Sequence, residues 1–337
     1  MTIYFRADAN SSIGLGHLTR LIALAEMLRG DFECIFLIQE LENGIKKILV
    51  DKQLDFFELN PNTDYILESI ELNQIIQENC VVVLDGYHFD QDYILKIKTP
   101  KRKIVLIDDF IKSFEGVDVI INHALGVKEA DYQHHKLQYC LGAEYALLRP
   151  SFLEIAKKEK VIIDISKAFI CFGGADTYNL TLRILQELEC TTFFKEINVV
   201  LASSFPFSNS VYEHKIKSNL NIIIHENLSE SDMANLMFEC HFAIAPTSGL
   251  SYEICSAKMV FLGGYYVENQ KAIHDGFAKK GCIYSLGDLS SLSDLSLVSK
   301  IHNILKKTES ISELIECQKL TITGKSKENY CWLFKSL

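Results

Sequence analysis

The sequence predicts an α/β protein built from two parallel-sheet domains, and three observations carry that prediction. Short β-rich apolar runs alternate with longer segments of helical period along most of the chain, the pattern of parallel strands covered by helices on both faces. The alternation is interrupted once, after Leu148-Arg149-Pro150, and then begins again. The 337 residues are about twice the usual length of one compact domain.

The first domain is placed at 1–150. Its strands are expected at Thr2 to Arg6, Glu33 to Ile38, Cys80 to Leu84, Lys103 to Ile107 and Val117 to Ile121. Helical periodicity lies between them, around Gly16 to Arg29, Tyr65 to Glu78 and Asp90 to Lys98. A charged helical stretch, Phe152 to Lys160, opens the second domain, placed at 151–315. Its strands are expected at Lys167 to Phe172, Ile197 to Ala202, Asn221 to His225, His241 to Ala245 and Met259 to Gly263. Helices are expected around Asn179 to Leu188, Ser229 to Phe238, Leu250 to Ala257 and Gln270 to Lys280. The chain from Ser293 onward reads as helical, and its end, 316–337, is expected to pack back on the first domain. A cleft between two such domains is the natural place for a ligand.

Composition excludes several classes. Hydrophobic residues make up 48% and charged residues 23%, the balance of an ordinary globular protein. A net charge of -10 argues against nucleic acid as a partner, because a polyanion meets net repulsion. The apolar run at the N-terminus is broken by Arg6 and Asp8, too early for a signal-peptide core. No stretch approaches the roughly 18 uncharged apolar residues of a membrane span. The expectation is a cytoplasmic monomer without stable membrane association. The ten cysteines form no C-x-x-C pair and sit mostly in apolar segments, as buried reduced thiols do.

Three strand–loop–helix turns carry the chemistry. The first runs from Arg6 and Asp8 through Gly14 and Gly16 to His17. It lacks the third glycine and the later acidic residue of a dinucleotide fingerprint, so NAD is rejected. A helix N-terminus disfavours imidazolium, which leaves His17 either a proton acceptor or a residue that fills a turn. In the second turn, Gly173 and Gly174 let backbone approach a ligand, while Asp176 either contacts it or caps the next helix. The third presents Ser248, Gly249 and Leu250 to a diphosphate, with Glu253 one turn on, within reach of a sugar's paired hydroxyls. Two anion-ready helix starts in one domain suggest a nucleoside diphosphate. Tyr87, in Leu84-Asp85-Gly86-Tyr87-His88, and the pair Asp108-Asp109 lie at strand ends. Asp90 and Asp92 form a D-x-D that an N-cap explains, and Asn269 and Gln270 are either caps or sugar contacts.

In this order the motifs resemble the UDP-sugar hydrolases of pseudaminic acid biosynthesis, relatives of the two-domain glycosyltransferases of MurG type. The matching pieces are R-A-D with I-G-x-G-H-x-x-R, D-x-Y, G-G-A-D-x-x-N-L-T, S-G-x-S-x-E and E-N-Q, from residue 6 to about 281. The resemblance implies a GT-B-like fold of two Rossmann-like parallel-sheet domains with an interdomain cleft. It implies His17 as catalytic base and Tyr87 and Asn269 on the substrate. Arg6, Asp8, Gly14, Gly16 and Gln270 are assigned with them to the sugar. Gly173, Gly174, Asp176, Ser248, Gly249, Leu250 and Glu253 are assigned to UDP.

The residues agree with that chemistry. A glycosidase normally needs two carboxylates, because a sugar alkoxide must be protonated as it leaves. A nucleoside diphosphate leaves readily, its phosphate pKa being about 6, so one base is enough. Neither a metal nor any other cofactor is called for. The alternatives are a glycosyltransferase, for which Lys96, Lys98, Lys101, Arg102 and Lys103 could form a membrane-facing patch, and a nucleotide-sugar binding subunit without catalysis.

Overall fold

The computed structural model describes every residue except 10–14, 62, 134–136, 175, 203–204 and 292–295. Two units are present: Met1–Pro150 with Lys325–Leu337, and Ser151–Gly324. The chain therefore returns to the first unit at Lys325, inside the segment 316–337.

The first unit contains, in order, β1 (Thr2–Arg6), α1 (Gly16–Leu28), β2 (Glu33–Gln39), α2 (Asn43–Asp51), β3 (Asp55–Leu59), α3 (Tyr65–Ile75), β4 (Cys80–Asp85), α4 (Gln91–Ile97), β5 (Arg102–Ile107), β6 (Val119–Asn122) and β7 (Gln138–Leu141). These strands form one sheet in the order β3-β2-β1-β4-β5-β6-β7, and every pair is parallel. All six residues of β4, Cys-Val-Val-Val-Leu-Asp, are buried. A strand apolar on both pleats must be covered on both faces, and each fully buried Val or Leu contributes about 1.5–3 kcal/mol.

The second unit opens with α5 (Pro150–Lys157), whose first residue ends the first unit. It continues β8 (Lys167–Ile170), α6 (Leu180–Leu188), β9 (Glu196–Leu201), α7 (Ser208–Lys217), β10 (Ile222–Glu226), α8 (Glu230–Glu239), β11 (Phe242–Pro246), α9 (Gly249–Ser256), β12 (Val260–Tyr265), α10 (Glu268–Lys280), β13 (Tyr284–Asp288), α11 (Ser296–Leu305) and α12 (Thr308–Thr321). Its sheet runs β10-β9-β8-β11-β12-β13, again with all pairs parallel. In α12, the buried Gln318 donates to the carbonyls of Met259 and Cys282, both at 2.9 Å. The last helix, α13 (Ser326–Ser336), lies on α1 in the first unit. There Phe334 meets Phe32 at 6.3 Å, and Tyr330 donates to the carbonyl of Tyr145.

The sequence reading gives β3, β7 and β13 no strand. All three are edge strands, and β3, Asp-Phe-Phe-Glu-Leu, buries only its last residue fully. A strand that buries little leaves no continuous apolar run to read. The helices α2 and α7 are missed for a related reason, since α7 buries only Val211.

Candidate active site

In a parallel sheet, ligand-facing residues collect beyond the carboxyl ends of the strands where the strand order reverses. That point lies between β1 and β4 in the first unit and between β8 and β11 in the second. β1 leads into the loop before α1, and β4 pairs with β1 in the register Arg6↔Leu84. His17, in the first turn of α1, and Asp85, the last residue of β4, are therefore brought together.

The contact is direct. His17 Nδ1 lies 2.7 Å from Asp85 Oδ1, and both side chains are largely withdrawn from solvent. Arg20, one turn after His17 on the same helical face, donates from Nε to Asp85 Oδ2 and from Nη2 to Asp85 Oδ1, each at 2.6 Å. Its outer edge donates to Asp109 Oδ1 at 2.9 Å and Oδ2 at 3.0 Å. Tyr87 donates to Asp109 Oδ2 at 3.0 Å and stands edge-on to the His17 ring at 4.7 Å. Burial alone would raise the carboxyls of Asp85 and Asp109, but the adjacent Arg20 guanidinium outweighs it and holds both below the usual carboxylate range. A cavity beside this cluster is lined by Tyr87, Asp109 and Phe110 among others.

His123, just beyond β6, completes the cluster. Burial pushes it down to about 4, and the charge of Arg20 adds to that push, against the opposing pull of Asp109 and Asp85. The folded state thus binds fewer protons than the unfolded chain between the ordinary value of 6.5 and about 4. The contribution of His123 to stability is therefore complete above pH 6.5 and is lost as pH falls toward 4, on the order of 3 kcal/mol at about 1.36 kcal/mol per pKa unit. We expect His123→Gln to flatten that slope in urea titrations between pH 7 and 4. A variant with the wild-type slope would remove His123 as its cause.

Several expected site residues take other roles. Arg6 is 0% exposed and is fully engaged by Glu68 and Asp8, so the expected substrate contact is corrected to a buried ion pair beneath the site. Asp8, 4% exposed, also accepts from the Gln39 amide at 3.0 Å and the Tyr65 hydroxyl at 3.1 Å. Its expected contact is corrected in the same way. Asp176 is buried and accepts from the amides of Leu180 at 2.7 Å and Thr181 at 2.9 Å, the capping alternative for this residue, in the first turn of α6. Gly14 lies outside the described residues.

In the second unit, Gly173 and Gly174 follow β8, and Ser248, Gly249 and Leu250 follow β11, so both turns flank that sheet's reversal point. Gly173 has φ +73°, which a side chain would strain. A Cβ at Gly249 would meet nothing within 4 Å, and the same holds for Gly16 in the first unit. The fold does not demand a glycine at either position, and each leaves open space beside a helix start. Ser248 caps α9, accepting from the Leu250 amide at 3.3 Å, while Glu253 is half-buried one turn on. Gln270 Oε1 accepts from the Tyr266 amide at 3.1 Å, whereas its neighbour Asn269 is exposed.

Asp90 accepts from the Tyr93 amide at 2.9 Å and caps α4. Among the described residues no group of three or more His, Cys, Asp or Glu side chains is arranged to hold a metal ion. No helix among them is long and apolar enough to cross a membrane. In the basic run at 96–103, Lys96 and Lys101 are exposed, but the other members are engaged. Arg102 is buried and donates to Asn73 Oδ1 and to the carbonyls of Ile97 and Ile76, and Lys98 is paired with Asp118.

From sequence alone Arg20 and His123 have no assigned role, Asp85 is noted only as a strand-end residue, and Asp109 is a strand-end residue that stands, with Asp8 and Tyr87, as a fallback for the base. The available signals were the three-residue spacing of His17 and Arg20 and the position of His123 directly after an apolar strand.

Two parallel-sheet units, each with its candidate residues at the point of strand-order reversal, define a protein of the GT-B class. Solved structures of that class agree over the whole chain: MurG of Acinetobacter baumannii, TM-score 0.70 at 12% identity with both chains fully covered, and the spinosyn rhamnosyltransferase SpnG, TM-score 0.67 at 12% identity, covering 99% of this chain and 100% of that one. No family model matches the chain. It is 31% identical over 291 residues to the UDP-2,4-diacetamido-2,4,6-trideoxy-β-L-altropyranose hydrolase of Campylobacter jejuni, covering 83% of this chain and 97% of that protein. The chain belongs to that hydrolase family.

Proposed function

We propose that this protein releases UDP from UDP-2,4-diacetamido-2,4,6-trideoxy-β-L-altrose, or a close UDP-sugar, by attack of water on the anomeric carbon. The observation that carries the proposal is the 31% identity over nearly the full length of the hydrolase from C. jejuni. In the reaction, water oxygen bonds to C1 as the C1–O bond to the diphosphate breaks, and UDP departs with the electron pair. The proton lost by water passes to His17. Attack opposite the leaving group inverts C1. The reversal-point turns of the second unit, where Gly173 and Gly249 leave open space beside the backbone, are where the diphosphate is received. A panel of UDP-sugars incubated without any acceptor, with UDP release followed, tests this directly. No release from any member would reject hydrolysis.

Two further outcomes are expected. Glu253→Ala weakens UDP binding in calorimetry by about 1–3 kcal/mol, the scale of a lost charge-assisted hydrogen bond. Unchanged affinity would return Glu253 to helix stabilisation. Turnover persists in EDTA, because a diphosphate is already a competent leaving group and Asp90 is committed to capping α4. Loss of turnover on chelation, restored by Mg²⁺ or Mn²⁺, would overturn the metal-free scheme.

A further inference from the structure

The hydrogen-bond donors around Asp85 fix which nitrogen of His17 carries the proton that faces it. Arg20 Nη2 has two hydrogens, and both are committed, one to Asp85 Oδ1 at 2.6 Å and one to Asp109 Oδ2 at 3.0 Å. The same nitrogen also lies 3.2 Å from His17 Nδ1, but it has no hydrogen left to give. His17 Nδ1 is 2.7 Å from Asp85 Oδ1, which as a carboxylate oxygen only accepts. Nδ1 therefore carries a proton and donates it to Asp85, so that whenever the ring holds a single proton the lone pair is on Nε2.

We propose that Asp85, clamped by Arg20, is the positioning residue that holds His17 as the Nδ1–H tautomer, so that Nε2 is the atom that accepts a proton from water. Asp85 does not touch the reacting atoms. It is 0% exposed, and both its oxygens are fixed by the side-on guanidinium. The same guanidinium is braced from its far side by Asp109, which Tyr87 holds in turn at 3.0 Å. The chain Tyr87, Asp109, Arg20, Asp85, His17 thus runs from the exposed rim of the site to the ring that does the chemistry. A carboxylate that orients an imidazole and faces the charge formed on it is worth up to about 10⁴-fold in turnover where such pairs have been dissected. The inference rests on the hydrolase reading for its catalytic consequence, but the tautomer itself is a property of the free protein.

The test exploits that separation. Protein labelled with ¹⁵N-histidine, without ligand, is examined by long-range ¹H–¹⁵N correlation, and the His17 signals are assigned by their loss in His17→Gln. In the singly protonated ring, read at the alkaline end of a pH series, the expected spectrum has a protonated Nδ1 and an unprotonated Nε2. An Nε2–H tautomer in the wild type would overturn the proposal, with no variant needed. In Asp85→Asn one carboxylate oxygen becomes an NH₂, which donates only and can accept from neither Arg20 nor His17. The Nδ1–H population should fall and kcat should drop roughly 10²- to 10⁴-fold, with KM within about threefold of wild type by the logic that an effect confined to the transition state leaves ground-state binding alone. Wild-type kcat in Asp85→Asn, or an unchanged tautomer in a folded Asp85→Asn protein, would overturn it. An Nδ1–H tautomer in a protein that releases no UDP would instead leave the proton arrangement standing and reject the hydrolase reading.

Discussion

His17→Leu is expected to lower kcat for UDP release by roughly 10²- to 10⁴-fold, the usual share of a general base, while UDP affinity stays close to wild type. The reasoning joins position and chemistry. His17 sits in the first turn of α1 at the reversal point of the first sheet, and its ring is gripped on one side by Asp85. UDP is assigned to the other unit, at the turns after β8 and β11, so removing the imidazole leaves those contacts untouched. A change in kcat without a change in nucleotide affinity identifies an interaction made in the transition state. The bond broken is tested in the same assay. In ¹⁸O-water the label enters the sugar if water attacks C1 and enters UDP if it attacks phosphorus. Label in UDP rejects attack at carbon, and near-normal turnover in His17→Leu moves the role of base to another residue of the cluster.

The parts of this site that were legible in the sequence are those written as local patterns. Gly-x-Gly-His after a β-rich run places His17 at a helix start next to a strand end, and Gly-Gly after Ile170 places the second unit's first turn. The interior strands were readable because burial on both faces makes them uniformly apolar, as in β4. The edge strands β3, β7 and β13 were not, because solvent on one side allows Asp55, Glu58 and Gln138 among their residues. The charges at the reversal point were harder still. Arg20 and Asp109 are 89 positions apart, and nothing in either local sequence specifies that they meet. Their pairing follows only from the parallel order β1-β4-β5, which brings the loops after these strands to one end of the sheet. Arg6 shows the opposite failure. Its place beside Asp8 in a ligand-facing motif suggested substrate, whereas its true second partner, Glu68, lies 62 residues away and was invisible as a partner until α3 was packed on the sheet.

That correction carries the second large effect. Arg6→Met is expected to destabilise the first unit by about 3–5 kcal/mol at pH 7.5, the cost of breaking a buried pair by removing one side of it. Arg6 is 0% exposed and Glu68 1% exposed. The guanidinium donates from Nε to Glu68 Oε1 at 2.8 Å and from Nη2 to Glu68 Oε2 at 2.7 Å, and Nη2 also reaches Asp8 Oδ2 at 2.9 Å. Methionine fills much of the volume but leaves two carboxylates in the same pocket with no cation. The sign of the pH response then separates this role from a substrate contact. In the wild type, burial would raise Asp8, but the His88 ring 3.3 Å away and the charge of Arg6 hold it below the usual carboxylate range, so its contribution is present above about pH 4 and lost as acid protonates it. In Arg6→Met the same burial acts unopposed by that cation, the folded state takes up a proton more readily than the unfolded chain, and acidification favours folding. The gap between variant and wild type in urea titrations therefore narrows from pH 7.5 to pH 5. Adding Glu68→Leu to Arg6→Met should recover much of the loss, because a buried ion pair replaced as a whole by apolar groups is often neutral. An Arg6→Met protein of wild-type stability with a raised KM would return Arg6 to the substrate and reject the buried-pair role.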